Sequence, residues 1–372
     1  MPTELPSLVG RYRISAHLAG DVVDDVYQGF DPLIERPVAV RVFRLQVAAA
    51  AAEQAVKQTF YQEMQRAGAL MHHGIATLFD AGEVPGLLFM ATEFAEATRL
   101  SSLLDDGLDW DLPDRMSLLS QIVDALEYAR ELGMPHLNLR PTNVLVGADR
   151  GIKIAGFGVA PVIVALAAAS GTPMPERSRY AASERVRGEL GDHRSDVFSL
   201  ARIACDLLGA AGAPQGDART PGYDERALPS HLADLGVSAE RWSAVFDRAL
   251  AADPAERFET AAELEVELLL MLGVSAPNLR KTGTPLSPRD PIPTDVPHGT
   301  PDAKRRPEPE NTHTARGMFS SDLDHEMADA MPVSGRGLDG DDEMGEQTTH
   351  SGSEAIRHKI AERAADQKRD EP

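Results

Sequence analysis

The sequence predicts an α+β fold of two lobes, followed by a segment that does not fold. Three observations predict it. The first hundred residues are rich in alternating and β-branched runs and hold one long Ala-rich stretch without proline. After residue 100 the apolar residues recur at helical spacing. From Pro277 onward aromatics and apolar periodicity give out. Of 26 prolines, eight fall between Pro285 and Pro309, and Phe319 is the only Phe, Tyr or Trp in the last 96 residues. Such a segment buries too little apolar surface to offset its ordering entropy, so it is expected to be disordered. The chain divides into an N-terminal extension (1–10), a β-rich lobe (11–95), a helical lobe (96–275) and a Pro-rich acidic tail (276–372).

The elements follow in order. Arg11–Ala19, Asp25–Phe30 and Pro37–Leu45 read as strands separated by turn signals such as Phe30-Asp31-Pro32. Ala48–Met71 reads as the one long helix of the first lobe. Ala76–Asp80 and Leu87–Phe94 read as strands on either side of the Pro85-Gly86 turn. Asp114–Leu132 is an amphipathic helix, with Met116, Leu119, Ile122, Val123 and Leu126 on its apolar side. Short strands are expected at Val144–Val146 and Ile152–Ile154, and helices at Ser195–Leu208, Ala239–Ala252 and Thr260–Leu272. In the tail, Phe319, Leu323, Met327 and Met331 are spaced for a short acidic helix, and 354–368 for a second one capped by Ser353.

Composition removes several function classes. The 372 residues carry 37 Lys and Arg against 58 Asp and Glu, a formal net charge of −21. A nucleic-acid or anionic-membrane partner needs a basic footprint instead. A single cysteine, Cys205, excludes a disulfide framework and a Cys-rich metal site. It lies on an apolar helix and reads as core, as do Trp110 and Trp242. No apolar run reaches bilayer length, and MPTELPSLVG lacks the pattern of a secretory leader. The expectation is a cytoplasmic chain with no membrane insertion and no nucleic acid.

Eight landmarks then occur in a fixed order: Val38-Ala39-Val40-Arg41, Glu63, Glu93-Phe94-Ala95, His136-Leu137-Asn138-Leu139-Arg140-Pro141-Thr142-Asn143, Gly156-Phe157-Gly158, Ala182-Ser183-Glu184, Asp196-Val197-Phe198-Ser199-Leu200 and Asp253-Pro254-Ala255-Glu256-Arg257-Phe258. Together they resemble a bacterial protein kinase domain of the eukaryotic Ser/Thr type, over about Arg11 to Leu272. The resemblance implies a β-rich N-lobe with one long helix, an α-helical C-lobe and a nucleotide cleft between them. On that pattern Val26, Ala39 and Leu145 would pack around an adenine ring, Glu93 and Ala95 would form the hinge, and Asn143 would match a metal ligand. His136 and Phe157, with Ala67 and Phe79, would form an apolar column linking the lobes. Asp196 would brace the catalytic loop, and Glu184 and Arg257 would form a buried ion pair.

The positions that would carry chemistry depart from the pattern. The glycines of the phosphate cover fall on Ala19, Asp21 and Asp24, and with Asp25 these acids would face a triphosphate. Arg41 replaces the phosphate-binding lysine, keeps the charge and is expected to pair with Glu63. Asn138 replaces the aspartate base and cannot accept a proton near neutral pH. Arg140 replaces the catalytic-loop lysine, and Gly156 replaces the metal-binding aspartate. The expectation is therefore a pseudokinase rather than an enzyme, with no cofactor beyond weak ATP binding and no metal. It would act as a scaffold, or as a regulator or substrate, in Ser/Thr kinase signalling. Its protein partners would be an active Ser/Thr kinase or a phosphopeptide-binding protein, with Thr284, Ser287 and Thr300 as accessible tail hydroxyls. The alternatives are a divergent active Ser/Thr kinase, in which Asp21 or Asp24 takes over a metal or base role, and a non-catalytic ATP-binding module. The apolar run Val159–Ala169 is expected to enter the cleft, form a docking helix or pack on the C-lobe. His72-His73 read as a loop rather than a metal site.

Overall fold

Three β-branched or aromatic runs joined by tight turns build the first lobe. The computed structural model describes residues 6–20, 23–171, 178–209 and 228–274. The tail, with its expected helices and its Thr284, Ser287 and Thr300 hydroxyls, lies outside the described residues, as does Asp21. An antiparallel six-stranded sheet comprises β1 (Leu8–Val9), β2 (Tyr12–Gly20), β3 (Asp24–Asp31), β4 (Arg36–Arg44), β5 (Leu78–Val84) and β6 (Leu87–Glu93). Its order is β1-β2-β3-β4-β6-β5. β1 lies upstream of the first expected strand. β5 runs on to the Pro85-Gly86 turn, because Val84 pairs with Leu87 across a tight hairpin.

The period of two along β4 sorts its side chains. Val38, Val40 and Val42 enter one cluster with Val9, Tyr12, Tyr27 and Phe89. Phe43 enters another on the opposite face, under the single long helix α1 (Ala50–Ala67). The helix presents Val56, Phe60 and Met64 to it, spaced four apart.

The second lobe begins with β7 (Thr98–Arg99) and α2 (Leu100–Asp105), then α3 (Leu112–Glu131). Asp111 caps α3 by accepting the Asp114 N–H at 2.9 Å. β8 (Val144–Val146) and β9 (Ile152–Ile154) complete a small sheet with β7. They are followed by α4 (Val159–Ser170), α5 (Ser183–Val186), α6 (His193–Gly209), α7 (Ser230–Asp234), α8 (Ala239–Ala249) and α9 (Ala261–Leu272). Met116, Ile122, Leu200, Ile203, Trp242, Phe246 and Leu268 share one core. Cys205 is buried within it, and burial pushes its thiol pKa upward, so it is an inert core residue. The fold is the expected one, a β-rich lobe with one long helix followed by a helical lobe.

Candidate active site

The loop from His136 to Asn143 is held from below. Asp196, buried near the start of α6, accepts the backbone N–H groups of His136 and Leu137, each at 2.7 Å. Leu137 sits at φ 61, a left-handed conformation that a branched side chain does not adopt unaided, and these two bonds hold it. Burial pushes the Asp196 carboxyl up to about 7, against the pull of the two hydrogen bonds. His136 is fully buried and lies edge-on to Phe157, ring centres 4.7 Å apart. Its Nδ1 accepts the Asn138 N–H at 3.2 Å, which leaves Nε2 to donate to the Ala155 carbonyl at 3.1 Å. Burial lowers its pKa to about 4, so the ring is neutral. The Asn143 side-chain amide donates to the Asn138 carbonyl at 2.8 Å, closing the loop on itself.

Gly156 follows β9 at φ 101. A Cβ there would meet nothing closer than 3.8 Å, so the space for a side chain exists while the backbone favours glycine. The column of side chains linking the lobes is corrected at one position. Ala67 and Phe157 belong to the same core, but the β5 residue that packs on it is Leu78. Phe79 points to the opposite face of the strand, beneath the Arg36 guanidinium at 3.3 Å. Strand alternation makes a one-residue error exchange faces.

The first-lobe charges pair differently from expectation. Register sets Arg41 opposite Val26 and Phe43 opposite Asp24, so Asp24 is the diagonal neighbour of Arg41 on the same face, and the two are bonded. On the other face Asp25 is bonded to Arg44 and lies 3.0 Å from His17 Nε2. Two of the three carboxylates expected to stand bare against a triphosphate, Asp24 and Asp25, are thus matched by arginines. Glu63 pairs with Arg66 at 2.9 Å, one turn along α1, and not with Arg41. Val26 and Ala39 share Arg41's face by register, and Ala19 lies opposite Val26. Leu145 pairs with Lys153 across β8 and β9. Glu93, at the end of β6, is bonded to Lys153 at 2.8 Å, and Ala95 follows it in the link between the lobes.

The apolar run after Gly158 is a helix, and it enters the first lobe rather than packing on the second. Val159, Val162, Ile163 and Leu166 of α4 join Phe43, Phe60, Met64, Leu88 and Met90 in one cluster. Gly158 starts the helix at φ 79, where a Cβ would crowd the Glu63 carbonyl at 3.2 Å. In the second lobe Arg257 bonds Glu184 through both ends of its fork, at 2.8 and 2.7 Å. Ser195 adds a 2.6 Å hydrogen bond, and together these hold the Glu184 carboxyl at about 2 despite burial.

A cavity of about 320 Å³ lies where these parts meet, lined by Asp24, Arg41, Asn138, Arg140, Arg185 and Arg187 among others. The sequence reading did not single out Arg185 and Arg187. The visible signal was two arginines flanking Val186 directly after Glu184. Asp24 is the only carboxylate lining the cavity among the described residues, and it is engaged by Arg41. The set present suits phosphate or carboxylate groups and does not form a metal site. Elsewhere His72, His73 and Asp124 have ligand-like spacing. His72, however, spends Nε2 on Asp124 at 3.2 Å and Nδ1 on the Gly74 N–H at 3.1 Å, so it has no nitrogen left to ligate. No helix among the described residues is long and apolar enough to cross a membrane.

A family model described as the protein kinase domain matches residues 22–235. The chain is 26% identical over 270 residues to the serine/threonine-protein kinase PrkC of Bacillus subtilis, covering 70% of this chain and 40% of that protein. It is 27% identical over 291 residues to the serine/threonine-protein kinase PknB of Mycobacterium tuberculosis, covering 74% and 45%, and 26% identical over 291 residues to PknB of Mycobacterium leprae, covering 76% and 46%. The chain therefore spans less than half the length of these relatives. Their names correct three expectations together: that the chain is a pseudokinase, that it is not an enzyme and that it takes no cofactor. The relatives are named as Ser/Thr kinases, and kinase chemistry brings ATP and a divalent cation with it.

Proposed function

The chain belongs to the protein kinase domain family, and from that premise we propose that it is a divergent Ser/Thr protein kinase, transferring the γ-phosphoryl group of ATP to a protein hydroxyl. One observation carries the reading: the cavity gathers Arg41, Arg140, Asn138 and Asp24 above a loop whose backbone is fixed by Asp196. Phosphoryl transfer proceeds through a loose transition state, so catalysis rests mainly on positioning and charge stabilisation and less on proton abstraction. Arg41 and Arg140 supply positive charge for phosphate oxygens. The Asn138 side chain can hydrogen-bond the accepting hydroxyl and orient it without taking its proton. Asp24 is the carboxylate we assign to receive that proton, once Arg41 turns to a phosphate. Val26, Ala39 and Leu145 would enclose the adenine, with Glu93 and Ala95 as the hinge. The divalent cation that accompanies ATP would supply charge neutralisation when bound. This reading places the domain in the cytoplasm, with protein substrates as partners.

The test is radiometric transfer by the full chain from labelled ATP, with magnesium or manganese, to itself and to generic protein substrates. Label above background, reduced at least about ten-fold in Asp24→Asn, supports the assignment. Absence of label with either cation, from protein shown by its melting transition to be folded, overturns it.

A further inference from the structure

On a chain of net charge −21 the cavity beside the loop is basic: four arginines line it against one aspartate. Arg41 and Asp24 match each other. Arg140 on the loop also lines it, as do Arg185 and Arg187, which with Tyr180 and Gly188 form a second wall. The wall is built rather than casual. The Arg185 fork is fixed by donating to the carbonyls of Glu189 and Leu190, both at 2.9 Å, and its Nε is buried without a hydrogen-bond partner. Its backbone sits next to Glu184, the residue clamped by Arg257. Arg187 is half exposed and bonded to Glu189 at 2.7 Å. That surface carboxylate is not part of the cavity lining, and an incoming anion can replace it on Arg187. Tyr180 and Arg179 both hydrogen-bond the Asp206 carboxylate at 2.6 Å, which anchors the segment facing Arg185 to α6.

We propose that this arginine wall selects peptide acceptors carrying an anionic residue, Asp, Glu or a phosphorylated side chain, close to the accepting hydroxyl. The inference rests on the kinase reading for the word acceptor, while the anion preference stands on the cavity itself. An acceptor hydroxyl at Asn138 puts the flanking residues of an extended peptide within a few residues' reach of the wall, at about 3.3 Å per residue. A lysine or arginine in those positions would meet like charge.

The experiment measures binding and transfer separately, with the full chain. Labelled peptides share one central Ser and differ at the flanking positions, carrying Asp, Ala, Lys or a single phosphoserine. Fluorescence anisotropy should show the Asp peptide bound at least about ten-fold tighter than the Ala peptide and the Lys peptide weakest, with the preference shrinking as salt rises. The phosphoserine arm tells whether phosphate or carboxylate fits better. Arg187→Glu, with Arg187→Ala beside it in case the reversal disturbs folding, should remove most of the preference. Equal binding of Asp and Ala peptides, or a preference unchanged in both variants, overturns the inference. If the Asp peptide binds and no peptide is labelled by ATP, the kinase reading fails and the anion wall stands. If all peptides are labelled equally, the kinase reading stands and the wall does not.

Discussion

Arg41 of β4 is bonded to Asp24, its diagonal neighbour on β3, and not to Glu63 on α1. The pair is local to the hairpin, so it forms without help from the helix. It neutralises one of the acids that the phosphate cover had seemed to set against a triphosphate. Asp24 is almost wholly buried, and the Arg41 side chain keeps about a fifth of its exposure (19%). Breaking a fully buried pair costs about 3–5 kcal/mol, and that residual exposure lowers the expectation to about 2–3 kcal/mol for Asp24→Asn. Urea midpoints of D24N, R41M and the double variant measure this directly. A coupling near zero in the cycle would show that the two side chains do not pair in solution.

The packing of α4 makes a second prediction. Leu166 is 1% exposed and lies in the cluster formed by Phe43, Phe60 and Met64. Leu166→Ala removes buried methylenes and leaves a cavity, so unfolding free energy should fall by about 2–5 kcal/mol. A surface-laid helix would lose no more than about 0.5 kcal/mol at the same substitution. Chemical denaturation separates the two ranges.

The fold was legible because its signals are periodic. The long Ala-rich stretch Ala48–Met71, free of proline, predicts α1, and the β-rich alternation of Pro37–Leu45 predicts β4. The short pieces β1, β7, α2, α5 and α7 escaped, since two to six residues span fewer than two periods and show no repeat. Of the site, what depends on the resemblance and on local sequence was readable: Asp196 under the loop, Glu184 with Arg257, and His136 against Phe157. What depends on side-chain reach across strands was not. A sequence shows that Arg41 is a cation, but not that register brings Asp24 within its reach before Glu63. The destination of α4 was hidden for a related reason. A run from Val159 to Ala169 without one charge has no polar face to say which core it enters.

Glu184 gives the pH prediction. Its carboxyl is held at about 2 in the fold against an ordinary 4.5, because Arg257 and Ser195 hydrogen-bond its charged form. A depressed folded value contributes stability that is fully present above about pH 4.5 and is lost as pH falls toward 2. The contribution is on the order of 3 kcal/mol, from a carboxylate side chain only 4% exposed. Glu184→Gln should therefore be less stable than the parent at pH 6, with the gap shrinking to about half or less by pH 3 and closing only near pH 2. Denaturation at both pH values reads the gap, and an equal gap at the two would remove Glu184 as its source.

Gly156 tests how the backbone shapes the cleft. At φ 101 an L side chain is strained, whereas the space itself is open, with His136 Nε2 the nearest atom at 3.8 Å from a built Cβ. Gly156→Asp should thus cost about 1–3 kcal/mol through backbone conformation alone. The new carboxylate would also stand beside Asn143, whose amide nitrogen lies 3.9 Å from the same point. An oxygen pair of that kind suits a hard divalent cation better than the parent's amide by itself. The variant should therefore melt below the parent without ligand, yet gain more from manganese with ATP than the parent does. A lower melting temperature without the added gain would mean that the strained backbone turns the carboxylate away from the cleft. No loss at all would mean that Gly156 relaxes out of the left-handed region at little cost.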